Sequence, residues 1–192
     1  MSQSRTPVQA PLHKRSARPH ALYWGFAALV LWGLGACTPA LNWREVRFDN
    51  ARLVGWLPCK PDRGQRVVDL GGRSAQLSLM GCEADGMDFT LGQLTLPAAL
   101  SAPQAQQAWK TASLSSLQAR AESPPHDWTL PGASPVMTPQ RSVAQGGQDM
   151  TARWAWFAYD GQLYQAAVYA RASRAAQADQ AMDVLLAGLR LP

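Results

Sequence analysis

Histidine is almost missing from this chain. Three are present, at positions 13, 20 and 126, so everything after residue 20 contains His126 alone. Nucleophilic triads, histidine-ligated zinc sites and imidazole acid–base pairs all need histidine beside the reacting group. His126 stands next to Asp127 in a proline-rich stretch, where such a pair reads as solvated rather than catalytic. Cysteine is as rare, with three residues, and neither Cys59 nor Cys82 has a second Cys or His at metal-ligand spacing. Gly71-Gly72 leads into no lysine-bearing loop, so it is a turn and not a phosphate cradle. Glu83, Asp85 and Asp88 around Gly86 miss the EF-hand spacing and lack its closing glutamate, which leaves a plain turn. The sequence therefore offers no catalytic residue, no metal ligand set and no cofactor site.

Acidic residues are absent from the first 36 positions, where Arg5, Lys14, Arg15 and Arg18 all lie. The net charge of +5 is concentrated there: from Cys37 onward 14 basic residues (18 − 4) face 13 acidic ones, about +1. Nucleic-acid binding needs clustered, uncompensated cations, and the body of the chain has none. The full chain has 47% apolar residues against 16% charged ones, enough to build a buried core.

Charge is missing altogether from Ala21–Ala36, which reads ALYWGFAALVLWGLGA after the basic stretch His13–His20. A positive segment followed by an apolar one is the pattern of an export signal, with the basic end kept in the cytoplasm. The run ends in Leu34-Gly35-Ala36-Cys37. This motif resembles the bacterial lipobox, and the resemblance implies that the Cys37 thiol takes a diacylglyceryl group and becomes the new N-terminus after cleavage. Thr38 is not the aspartate that marks inner-membrane retention in enteric lipoproteins, so the resemblance implies outer-membrane delivery. Two other readings stay open: an uncleaved transmembrane helix over residues 21–41, and ordinary secretory cleavage near Ala40. All three send the rest of the chain into the periplasm. The organisation expected is a signal segment at 1–36, a membrane-proximal linker at 37–42 and one domain at 43–192.

With Cys37 acylated, Cys59 and Cys82 remain as an even pair, and a structural disulfide is expected between them. A hairpin joins them in sequence: Arg66–Leu70, the Gly71-Gly72 turn, then Arg73–Leu79 with Leu77 and Leu79 alternating against Gln76 and Ser78. The two cysteines fall at its open end, although Pro61 and Gly64 interrupt its first strand.

Elsewhere the pattern predicts a short strand at Trp43–Phe48 and a short helix capped by Asp49, carrying Leu53, Val54 and Leu57 and stopped by Pro58. A third strand is expected at Met87–Leu96, and a helix from Ser101 and Pro103 to about Ala121. Residues 122–147 hold five prolines and read as a long loop. Met150–Tyr159, Asp160-Gly161 and Gln162–Ala170 form a hairpin about a type I′ turn. Both of its faces are apolar, so it is expected at the centre of the sheet, covered on both sides. A last helix from Ser173 presents Ala178, Ala181, Met182, Leu185 and Leu189. The fold class is α+β, a mostly antiparallel sheet between helical layers. Gly161–Gln165, the Leu189–Leu191 tail and Leu57-Pro58-Cys59-Lys60-Pro61 resemble segments of the PsbP-like fold. That resemblance implies an α/β/α sandwich and a family of mostly non-enzymatic accessory or assembly factors; it carries over no functional residue.

The tryptophans are the remaining signal. Trp154 and Trp156 sit two apart in a strand and read as core, whereas Trp128, near His126 in the long loop, reads as an exposed binding surface. The functional expectation is a membrane-anchored envelope lipoprotein, without cofactor or chemistry of its own, that binds a protein partner or assists assembly. The alternatives are a small-ligand or lipid-binding module using the aromatic sheet face, and a single-pass signal-anchored protein of unknown activity.

Overall fold

The computed structural model describes residues 41–49, 51–96, 100–135 and 137–192. The segment expected to be an export signal, with Cys37, lies outside the described residues.

The sheet grows from the hairpin that the sequence marks most clearly. Strand β9 (Met150–Tyr159) and strand β10 (Gln162–Arg171) meet at Asp160 and Gly161, whose φ values of 48° and 71° are the paired positive angles of a type I′ turn. Tyr159 faces Gln162 and Trp154 faces Ala167, so Trp154, Trp156, Leu163 and Ala167 point to one side and Phe157, Tyr164, Ala166 and Val168 to the other. Strands β3 (Asp62–Asp69), β4 (Ser74–Ala84) and β5 (Met87–Thr95) add on the β10 side. Strands β6 (Ala121–Glu122), β7 (His126–Asp127) and β8 (Gln140–Gln145) add on the β9 side. The resulting eight-stranded sheet runs β3-β4-β5-β10-β9-β8-β6, with β7 also on β8, and every pairing is antiparallel. The expectation of an α+β fold built on a mostly antiparallel sheet is met.

Each face of the hairpin buries a different helix. Helix α1 (Ala102–Leu117) lays Ala102, Ala105 and Trp109 against Trp154, Trp156, Leu163 and Ala167. Helix α2 (Ala175–Ala187) lays Ala178, Ala181, Met182 and Leu185 against Phe157, Tyr164, Ala166 and Val168. Helix α1 begins where its cap dictates: the Ser101 hydroxyl accepts from the Gln104 amide at 3.4 Å, and the Gln104 side chain accepts from the Ser101 amide at 3.0 Å. It stops at Gln118, short of the expected Ala121. Gln118 turns left-handed (φ 52°), and the chain then pairs with β8 through Ala121 and Gln145.

Two further expectations are corrected. The helix expected after Asp49 is a strand: β1 (Arg44–Arg47) and β2 (Val54–Leu57) form a two-stranded ribbon, with Val54 exchanging backbone bonds with Arg190 at 3.0 and 2.9 Å. Leu53, Val54 and Leu57 are indeed buried, as the apolar spacing implied, but in extended backbone wedged over the sheet. Gly55 permits that approach, since a Cβ there would fall 2.6 Å from a Leu91 methyl. The loop assigned to 122–147 also contains structure, namely β7, β8 and the end of β6. Proline interrupts the segment without preventing Gln140–Gln145 from lying along β9, with Ser142 opposite Trp154 and Ala144 opposite Ala152. Strand β3 begins directly after Pro61 and passes through Gly64, so neither residue breaks it.

Ion pairs fasten the last helix. Arg153, 6% exposed on β9, donates to both carboxylate oxygens of Asp179 at 2.7 and 3.2 Å and to the Ala175 carbonyl at 3.0 Å. One turn further along, Asp183 accepts from Arg141 of β8 at 2.9 Å. A buried guanidinium is tolerated here because its donors are taken up.

Candidate functional site

The cysteine expectation is met: Cys59 and Cys82 are joined, with their Cα atoms 6.0 Å apart. Cys59 follows the β1–β2 ribbon, and Cys82 lies on β4 one residue past Gly81, which faces Asp62 at the start of β3. The bridge therefore closes the open end of the β3–β4 hairpin and fastens the ribbon to the sheet.

Trp128, expected with His126 on an exposed surface, is half-buried. Strand β7 pairs His126 with Arg141 and Asp127 with Gln140, and the Trp128 amide then donates to the Pro139 carbonyl at 3.1 Å. This pairing turns the Trp128 ring inward, edge-on to Phe157 with centroids 6.3 Å apart. Its indole Nε1 is buried without a partner among the described residues. His126 stays exposed, so the structure separates the two residues that the sequence grouped. The aromatic sheet face is closed as well, since Trp154 and Trp156 are both 0% exposed beneath α1.

The acidic turn resolves into a hairpin tip. Asp85 and Gly86 have φ values of 50° and 63°, and Arg174 binds the Asp85 carboxylate at 2.5 Å and donates to its carbonyl. Across the hairpin Glu83 faces Asp88. Partial burial, and then the Glu83 charge, raise the Asp88 carboxyl above its ordinary range. Among the described residues no three His, Cys, Asp or Glu side chains gather as a metal site requires.

What the sequence did not single out is the outer side of the β3–β4–β5 region. At this end β3 is the sheet edge: among the described residues its sheet neighbour is β4, and seven of its eight residues are exposed, Val67 by 67%. The opposite edge differs, because β6 and β7 cover parts of β8. Beside β3, on the α2 face of the sheet, lies a half-open cleft of about 350 Å³. Gln65, Gln76, Ser78, Gln93 and Thr95 line it, with Phe48 and Met80 as its apolar wall and floor. Register explains the cluster: Gln65 faces Ser78, Ser78 faces Gln93, and Gln93 faces Tyr164. These side chains come from three strands, so no local motif announces them. In the sequence Gln76 and Ser78 are merely the polar half of an alternating strand.

No protein-family model matches the chain, and no curated protein matches its sequence. Among the described residues no helix is long and apolar enough to cross a membrane.

Proposed function

We propose that this chain is an exported envelope lipoprotein, tethered through lipid on the Cys37 sulfur, whose domain binds a protein partner and carries out no chemistry of its own. The observation that carries the reading is the Cys59–Cys82 bridge. A structural disulfide belongs to an oxidising compartment. It also leaves Cys37 as the one cysteine outside a pair, directly after the apolar run and Leu34-Gly35-Ala36. The periplasmic address and the acylated cysteine then account for all three thiols. Outer-membrane delivery follows from Thr38 by the same lipobox analogy.

Support for a binding role comes from how the charged groups are used. Asp179, Asp183, Asp85 and Glu122 each hold a cation from another element, Arg153, Arg141, Arg174 and Lys110 respectively. They act as fasteners. A helix on each face of the central hairpin agrees with the PsbP-like sandwich suggested by Gly161–Gln165, and that fold's members are mostly accessory or assembly factors. The partner surface best supported is the open edge β3, where an extended segment of another protein adds as a further strand. Asp62, Arg63, Arg66 and Asp69 on that edge oppose indiscriminate pairing and select a partner of matching charge.

Two experiments divide the reading. Cells fed a clickable fatty acid should label the wild-type chain, and Cys37→Ser should abolish both label and signal cleavage; an unlabelled, uncleaved wild type means a transmembrane anchor instead. A photo-crosslinking residue at Val67 should give a discrete adduct with one envelope protein, while one at exposed Gln107 on α1 gives none. Equal adducts at both sites, or none at Val67, contradict the edge as the partner surface.

A further inference from the structure

We propose that the cleft beside β3 is a binding site for a neutral sugar. The α2 face of the sheet is covered by α2 and by the β1–β2 ribbon, and that apolar cover ends at Phe48. Beyond Phe48 the same face turns polar. Gln65, Gln76, Ser78, Gln93 and Thr95 all line the cleft, and none of them makes a side-chain hydrogen bond among the described residues. Gln93 matters most, because it is only 6% exposed. Its amide end opens on the cleft, where a ligand can take up its donors and its acceptor. On the next strand the Tyr164 hydroxyl, opposite Gln93, and the Gln162 side-chain oxygen, opposite Thr95, are buried without partners among the described residues.

The chemistry of the lining narrows the ligand. The one cation, Arg63, is already engaged: it donates to the Arg47 carbonyl at 2.8 Å and lies 3.9 Å from the Asp49 carboxylate. With those charges balanced, an anion or a cation gains little. Amide and hydroxyl side chains both donate and accept, as sugar hydroxyls do, and each can serve two of them. Side chains on neighbouring strands stand about 4.8 Å apart, a spacing suited to alternate hydroxyls of one ring. Phe48 and Met80, 6% and 2% exposed, close the inner end of the cleft, so the polar side chains carry the recognition. A cleft of about 350 Å³ is at the lower end of small-molecule sites and fits a mono- or disaccharide.

The test is saturation-transfer NMR on the full chain, held in a detergent without a sugar headgroup. Glucose, N-acetylglucosamine and its β-linked dimer serve as probes, with a blocked neutral dipeptide as the counter-probe. At least one sugar should receive saturation on its ring protons, with a dissociation constant of about 1 mM or tighter. Gln93→Leu should weaken that binding about tenfold. Exposed Gln76→Leu should weaken it in the same direction and keeps the test valid if the buried variant does not fold. Gln107→Leu, on exposed α1 surface, should leave binding unchanged. Three results overturn the proposal: no transfer to any sugar, transfer that survives Gln76→Leu undiminished, or transfer to the dipeptide alone. None of these outcomes bears on the lipid at Cys37, so the anchor reading stands or falls separately.

Discussion

Replacing Trp154 with alanine should lower the stability of the domain by about 4 kcal/mol, the range for emptying a large aromatic site in a core. Trp154 is fully buried at the middle of β9, between the sheet and α1. Its ring lies 5.6 Å from that of Trp156 and 6.3 Å from that of Tyr169. Its indole nitrogen donates to the hydroxyl of half-buried Tyr169 at 3.1 Å, so truncation also removes that hydrogen bond. Trp154→Phe separates these contributions by keeping most of the apolar area while losing the hydrogen bond, and should cost roughly half as much. Urea unfolding followed by far-ultraviolet circular dichroism measures both, and the midpoint should fall with little change in slope. A loss below about 1 kcal/mol for the alanine variant would mean that the aromatic face is not the core.

Removing the Cys59–Cys82 bridge should cost about 3 kcal/mol, the chain-entropy value for a loop of this size. For a domain of about 150 residues that corresponds to a melting temperature lower by roughly 10 °C. The double variant Cys59→Ala with Cys82→Ala is the informative one, because it leaves no lone thiol to pair wrongly. The ribbon loses its covalent tie to β4 but keeps the backbone bonds between Val54 and Arg190, so the fold should survive. Alkylation of the exported wild type should find no free thiol at either position before reduction and both after it. Two alkylatable thiols without reductant would remove the compartment argument together with the stability prediction.

How far the fold could be read from the sequence depended on how local each signal was. Asp160-Gly161 and its flanking alternation specify a hairpin within some twenty residues, and its strands and register emerged as expected. Ser101, Pro103 and Gln104 specify the start of α1 equally locally. Cysteine pairing came from counting, since an exported chain with one acylated cysteine leaves an even pair.

The misreadings share a different cause. Leu53, Val54 and Leu57 are spaced as a helix would space them, but a strand buried on both faces shows the same run, and only the Arg44–Arg47 partner distinguishes the two. Strand β8 carries almost no apolar signal because it lies beside bulky indoles. Ser142 is small where Trp154 faces it, so the requirement at that position is little volume rather than hydrophobicity. The half-buried position of Trp128 has no signal in its own loop, because it depends on a partner strand far along the chain. Once β7 pairs with β8, the ring falls on Phe157. The cleft was invisible for the same reason, since its glutamines and hydroxyls converge only through the register of three strands.

The central claim, an exported chain anchored by lipid on one particular sulfur, is tested most directly by the intact mass and N-terminal peptide of the membrane-extracted protein. The expected species is a chain whose first residue is Cys37, with a diacylglyceryl group on its sulfur and Cys59 joined to Cys82. A chain that retains Arg15 and the apolar run Ala21–Ala36, with no lipid on Cys37, would contradict it.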